Sequence, residues 1–243
     1  MPRIRNLYDP ESVSPYRLSR TKLENFLKCP RCFYLDRRLG VGQPPGFPFN
    51  INSAVDELLK REFDECRSKG VAHPYMVDAG IKAVPANHSD LDQWRKNFVG
   101  VSYLHPATNF EVFGAIDDLW LTEGGEYLVV DYKATAKKDE VNLDADWQIS
   151  YKRQMEIYQW LLRKNGLPIS NRGWFVYCNG KRDLNRFDNK VEFRVSLLPY
   201  DGNDDWVETA LIEAKETLNR GDLPPPDENC DFCTYRQETA VFE

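Results

Sequence analysis

Two Cys-x-x-Cys pairs, Cys29/Cys32 and Cys230/Cys233, stand near opposite ends of this 243-residue chain. Each pair offers two thiolates at a spacing that chelates one metal ion, and the two pairs form a four-cysteine metal site only if the chain ends meet. A fold that satisfies this must join segments roughly 200 residues apart, and closing so long a loop gains most in principle. Met1-Pro2-Arg3-Ile4-Arg5 lacks the apolar core of a signal peptide. In such a chain close-spaced cysteines favour ligation over disulfides. No apolar run approaches the ~20 residues that span a bilayer, so the sequence reads as a cytoplasmic protein without membrane contact. Cys66, on a helical apolar face, and Cys178, ending a strand, read as core.

Composition is that of a globular protein, with 42% hydrophobic and 29% charged residues. The net charge of −6 is not the usual footprint of a nucleic-acid binder. The charge is uneven, however. Residues 1–45 carry nine Lys and Arg against four Asp and Glu, a net of +5, which leaves −11 on the remainder. An acidic remainder suits carboxylates that hold divalent cations, since bound metal offsets their charge. Solubility alone is an equally good account of most of them.

Residues 1–18 hold Pro2, Pro10 and Pro15 without helical period and read as an extended arm. Thr21-Lys22-Leu23-Glu24 fits a capping box that opens a helix running into Cys29-Pro30-Arg31-Cys32. Gly40–Pro48 is a Pro/Gly-rich loop rimmed by Phe47 and Phe49. Val55, Leu58, Leu59, Phe63 and Cys66 predict a helix over Ser53–Lys69, and a short helix is expected around Leu91–Phe98. Phe110–Leu121 and Glu126–Lys133 read as strands flanking Glu123-Gly124-Gly125. A helix over Trp147–Lys164, strands at Gly173–Cys178 and Val191–Leu197 around an Asn179-Gly180 turn, and a helix over Asp204–Asn219 complete the pattern. The order predicts one α/β domain over residues 1–243 built on a mixed sheet. Residues 19–45 and 222–243 form its cysteine-bearing subregion.

Asp117 and Asp131 are equidistant from Gly124. If the hairpin turns there, the two lie opposite or nearly so, with Cβ atoms about 4.5–5.5 Å apart. Carboxylates that close repel unless a cation lies between them, and a hard divalent ion suits the gap. Lys133 follows Asp131 by two residues, so strand alternation puts both side chains on one face. Its ammonium then points to where a bound water or phosphate would sit, able to orient the water or stabilise charge on the phosphorus centre. Solvated surface residues are the ordinary reading of an isolated Asp-x-Lys. Val129, Val130 and Ile116 give these an apolar context that argues against it.

Gly114-Ala115-Ile116-Asp117, a turn, and Val130-Asp131-Tyr132-Lys133-Ala134-Thr135 resemble the core of PD-(D/E)XK nucleases, specifically the RecB-like branch of recombination-helicase nuclease domains and CRISPR adaptation nucleases. The resemblance implies a restriction-endonuclease-like α/β fold with a mixed sheet flanked by helices. It further implies Mg2+ or Mn2+ on Asp117 and Asp131, a further ligand from the Tyr132 carbonyl, and a catalytic Lys133. Gln154-Met155-Glu156-Ile157-Tyr158 is similar to the Gln-x-x-x-Tyr element of that branch. Its i, i+4 spacing puts both polar tips on one helical face, where Gln would position water or substrate and Tyr would contact DNA. Asp56 stands where many relatives place a metal-binding His, and is either a harder ligand or a plain surface residue.

RecB-like nucleases often tie an N-terminal Cys to a C-terminal trio through an iron–sulfur cluster. Cys29, Cys230 and Cys233 resemble three of those ligands. No cysteine follows Cys233, where Thr239 stands, and Cys32 supplies a fourth thiolate. A [4Fe–4S] cluster, the first expectation, or a structural Zn2+ satisfies the set. Arg31, Arg37 and Arg38 are candidates to line a DNA path, with Phe33 and Tyr34 for stacking. The function implied is a metal-dependent nuclease acting on DNA single strands or ends in repair, recombination or defence. Its rivals are a catalytically silent nuclease-like module that binds nucleic acid, and a purely structural zinc protein.

Overall fold

The computed structural model describes residues 6–44, 46 and 50–242. Residues 1–5 of the expected arm, and Pro45, Phe47, Pro48 and Phe49 in and beside the expected loop, lie outside the described residues. The chain divides into two compact units, one of Met1–Phe47, Ser102–Phe113 and Asp205–Glu243, the other of Pro48–Val101 and Gly114–Asp204. No helix among the described residues is long and apolar enough to cross a membrane.

The chain opens with β1 (Tyr16–Ser19), α1 (Arg20–Lys28) and α2 (Pro30–Arg37). Then come α3 (Asn50–Lys69), α4 (Pro74–Asp78), β2 (Ala83–Pro85) and α5 (Leu91–Trp94). The β-rich centre holds β3 (Val101–His105), β4 (Phe110–Gly114), β5 (Asp118–Thr122) and β6 (Tyr127–Thr135). A 3-10 turn at Asp146–Gln148 leads into α6 (Ile149–Lys164), followed by β7 (Arg172–Gly180), β8 (Phe193–Asp201), α7 (Trp206–Asn219) and α8 (Asp231–Thr239).

In the first unit β1, β4 and β3 form a three-stranded sheet, with β1 parallel to β4. The first helix is capped by Ser19, whose hydroxyl accepts from the Lys22 N–H at 3.4 Å, and not by Thr21, which lies inside it. Ser19 wins because it still has extended backbone (φ −75°, ψ 152°), the geometry an N-cap requires. Cys29 ends α1 and begins α2 in the same extended conformation, with Pro30 at the first helical position where its missing N–H is harmless.

The second unit is built on the sheet β2-β5-β6-β7-β8, mixed because β6 and β7 run parallel while the other pairs are antiparallel. Alternation along β6 decides its two faces. Leu128, Val130 and Tyr132 pack with Leu59 and Phe63 of α3, with Trp120 and with Val176. Asp131 and Lys133 point the other way, toward α6. The hairpin turns as its sequence requires. Thr122 and Glu126 close a three-residue loop, and Gly125 takes the left-handed φ of 83° there.

Two expected elements differ. Phe110–Leu121 is not one strand but two, in different sheets. The chain is diverted between them: Gly100, at φ 63°, brings its Cα so close to the Gly114 carbonyl that a Cβ would overlap it, and the Ile116 N–H donates to the Trp94 carbonyl at 3.2 Å. Asn179-Gly180 is no turn either. Both residues continue β7, paired with Arg194 and Phe193 of β8.

One buried charge organises the second unit. Asp118 is fully buried and is held by guanidiniums of Arg67 and Arg95. It also accepts from the Tyr132 hydroxyl at 2.8 Å and from the Leu119 N–H at 2.8 Å. Removing one partner of such a pair costs about 3–5 kcal/mol, because the other charge is left buried. Asp118→Asn is therefore expected to lower unfolding stability by that order in urea titrations, far more than Arg61→Ala on the exposed face of α3, whose pairing with Glu57 is loose at 3.8 Å.

Candidate active site and thiolate centre

The hairpin register places Asp118 opposite Val130, so Asp117, one residue beyond the start of β5, comes to the level of Asp131. Its Oδ2 accepts from the Tyr132 N–H at 2.8 Å, and its carbonyl accepts from Arg95 Nε at 2.9 Å. The carboxylate is thus fixed from both ends. Asp131 is fully buried. Its Oδ1 accepts from Gln154 Nε2 at 2.7 Å, and Oδ2 pairs with the Lys133 ammonium.

Gln154 joins the remaining groups. Its Oε1 accepts from Lys133 Nζ at 3.3 Å, and its Nε2 also donates to the Tyr158 hydroxyl at 3.1 Å. The i, i+4 pair on α6 therefore shares one face. Tyr158 is only 3% exposed, so its place is to hold Gln154, and the expected contact with DNA does not fit its burial.

Asp56 reaches the same site from α3. Sequence reasoning missed what lies between it and Asp117: Lys60, whose Nζ is 2.8 Å from Asp56 Oδ2 and 3.5 Å from Asp117 Oδ1. The i, i+4 spacing of Asp56 and Lys60 was the available signal. Burial, and then the Asp117 charge, raise the Asp56 carboxyl, although Lys60 pulls it down. Burial would lower the Lys60 ammonium, but Asp117 and Asp56 outweigh it and raise it. A cleft of about 220 Å³ opens between Asn52, Asp56, Tyr132, Lys133 and Tyr151.

These donors fit a hard divalent cation. Asp117 and Asp131 each have one oxygen fixed by an N–H donor and the other turned toward an ammonium. Three carboxylates face two lysines, and oxygen donors are what Mg2+ and Mn2+ prefer.

In the first unit the four thiols of Cys29, Cys32, Cys230 and Cys233 are buried together, with all Sγ atoms within 4.8 Å of one another. The separations include 3.7 Å for Cys29–Cys233, 3.6 Å for Cys32–Cys230 and 4.0 Å for Cys32–Cys233. The Cys32 N–H turns back to Cys29 Sγ at 3.4 Å. Burial raises the Cys29 thiol and carries Cys32 to about 11. At Cys230 burial also acts upward, but the Cys233 N–H and neighbouring thiols outweigh it and lower the group.

The basic candidates are differently disposed. Arg31 donates to the Pro224 carbonyl at 2.8 Å, Arg38 to the Tyr8 carbonyl at 3.2 Å, and Arg37 makes a two-point pair with Asp36 at 3.0 and 2.8 Å. Phe33 and Tyr34 are buried, Phe33 against Phe26 and Tyr34 with its hydroxyl on the Arg220 carbonyl. The pair has no surface on which to stack bases. A helix pattern alone does not say which face meets the rest of the unit, so this burial was hidden from sequence reasoning.

The fold and site define a mixed α/β protein with a carboxylate–lysine cluster at the end of a hairpin. A profile of the PD-(D/E)XK nuclease superfamily matches residues 51–237, and the chain belongs to that superfamily of nuclease hydrolases. The RecB-like arrangement of its elements is consistent with that membership. Among solved structures the chain is similar to SSO0001, at 15% identity and a TM-score of 0.40, over 93% of this chain and 85% of that one. No curated protein matches.

Lys60→Met should leave Asp56 and Asp117 facing without their cation, a loss of about 1–3 kcal/mol for hydrogen bonds to charged groups. In EDTA the variant is expected to melt several degrees below the parent, and Mn2+ should raise its midpoint by more than it raises the parent's. Equal shifts would show that Lys60 and the ion do not compete for these carboxylates.

Proposed function

We propose that this chain is a Mg2+- or Mn2+-dependent deoxyribonuclease. The observation that carries the reading is the convergence of Asp117, Asp131, Lys133 and Gln154 from three elements on one cleft, with every polar tip held by a partner. Asp117, Asp131, Asp56 and the Tyr132 carbonyl would hold the ion. When bound, it neutralises phosphate charge and makes water a stronger nucleophile.

The chain's own groups do the rest. Lys133 donates from Nζ to a non-bridging oxygen of the scissile phosphate, where negative charge grows as water adds to phosphorus and an ester P–O bond breaks. The leaving oxygen takes its proton from solvent. Gln154 holds both Asp131 and Lys133, so it positions the pair without touching the reacting atoms. Tyr158 in turn keeps Gln154 from swinging away.

Purified protein should degrade single-stranded DNA with added Mn2+ or Mg2+, and not in EDTA. Lys133→Ala should reduce the rate at least a hundredfold, on the order of losing one transition-state donor, while circular dichroism stays unchanged. Undiminished cleavage by a folded Lys133→Ala protein would remove the catalytic assignment.

We further infer that the four cysteines hold a single Zn2+ and not the [4Fe–4S] cluster first expected. Zn–S bonds of about 2.3 Å in a tetrahedron set sulfurs about 3.8 Å apart, close to the separations of 3.6–4.0 Å. A cubane, with an iron at each cysteine, spreads its four sulfurs to roughly 6 Å, beyond the 4.8 Å that encloses all four here. Protein purified anaerobically from iron-replete cells should contain one zinc per chain, no labile sulfide and no absorbance near 400 nm. Iron with labile sulfide, one iron without it, or no metal would each overturn the assignment.

A further inference from the structure

Beside the cleft an unbroken strip of aromatic and cationic groups runs across the second unit. Lys133 Nζ lies 4.4 Å from the centroid of the Tyr151 ring. Tyr151 meets Trp147 edge to face at 5.3 Å. Lys137 Nζ lies 5.0 Å from the Trp147 ring on the far side. Trp147 is 51% exposed, an unusual position for so large an apolar ring unless something covers it. Past Lys137 the strip enters a cavity of about 440 Å³ whose wall includes Lys138, Lys181, Arg182 and Arg194, with Asp183 its one carboxylate.

The cations are not there to balance the protein's own charge. Lys181 pairs with Glu192 at 3.0 Å, but Lys137, Lys138, Arg182 and Arg194 have no carboxylate partner among the described residues. In a chain of net charge −6, four cations left together point to an anion from outside.

The backbone that carries them is fixed by two buried amides. Asn179 accepts from the Lys137 N–H at 2.8 Å and donates to the Lys137 carbonyl at 3.2 Å. Gln148 accepts from the Ala145 N–H at 2.9 Å and donates to the Asn142 carbonyl at 2.6 Å. Both side chains are buried. The segment between β6 and α6 is thereby held at both ends, and Trp147 and Lys137 are placed before any ligand arrives.

We propose that this strip is the track of a single-stranded nucleic acid, in which a base stacks on Trp147 while phosphates follow Lys137, Arg182 and Arg194. The proposal rests on the reading of the cleft as the cleavage site, because Lys133 is the track's other end. A single strand is the occupant the chemistry selects. Ring faces of bases are free to stack on an aromatic side chain only when they are not stacked inside a duplex, and such stacking beside a basic groove is tolerant of sequence.

The test is binding without cleavage: the full chain in EDTA, titrated into a fluorescein-labelled oligo-dT of about a dozen nucleotides, a length in the site-size range of single-strand binders. Trp147→Ala should weaken binding about ten- to a hundredfold and leave its salt dependence unchanged. Trp147→Phe should restore most of the affinity. The Lys137→Ala/Arg182→Ala double variant should lower the slope of log K against log salt by roughly one. An unchanged affinity in Trp147→Ala, or equal affinity for a duplex of the same length, overturns the track. If binding behaves as expected but no metal supports cleavage, the track stands and the nuclease reading fails.

Discussion

The catalytic geometry depends on a charge that takes no part in it. Asp118 is buried at the start of β5, where an unpaired carboxylate would be too costly to keep ionised. Its partners come from α3, through Arg67, and from the end of α5, through Arg95. Satisfying this one group therefore sets where α3 lies against the sheet. Because Arg95 also donates to the Asp117 carbonyl, the same guanidinium fixes the neighbour that faces the cleft. Adjacent aspartates divide the work by strand alternation: one anchors, the other is presented.

That division shows what the sequence can and cannot reveal. Gly124 as the hairpin centre, Lys133 two residues after Asp131, and the i, i+4 pair Gln154/Tyr158 were legible because strand and helix periods act locally. Asp118 was not, since nothing local separates a buried aspartate from its exposed neighbour; only the guanidiniums, 51 and 23 residues away, do so. Lys60 was hidden for the same reason. The break between β4 and β5 was invisible because both halves have good strand sequences, and the diversion is imposed by Gly100 and Trp94 from another segment. Arg31, Arg37 and Arg38 looked like a basic face, yet backbone carbonyls and Asp36 take their donors.

The thiolate centre follows a different logic. The first unit is assembled from three separate stretches of chain, and local period gives such an assembly little help. Cys29 contributes twice, as a ligand candidate and as the extended residue between α1 and α2. The kink that separates those helices is also what turns its Sγ toward Cys233. Pro30 reinforces the kink by fixing its own φ and by biasing Cys29 away from helical backbone. The sequence Cys-Pro-x-Cys thus encodes the geometry of its knuckle as well as its donors.

Charge in the cleft is balanced by lysines, but orientation is set by neutral amides, and the two tasks have different requirements. An ammonium is a point charge that can exchange one carboxylate oxygen for another with little penalty. Lys60 and Lys133 can therefore neutralise Asp56, Asp117 and Asp131 and still yield to an ion or a phosphate. A carboxamide offers a fixed donor and a fixed acceptor, so Gln154 can satisfy Asp131 and Lys133 together only in one orientation, which Tyr158 maintains. Asn179 and Gln148 do the same for the backbone beyond β6. Neutral groups lose less when the local charge changes, so the frame they hold can persist while the cations in front of it rearrange.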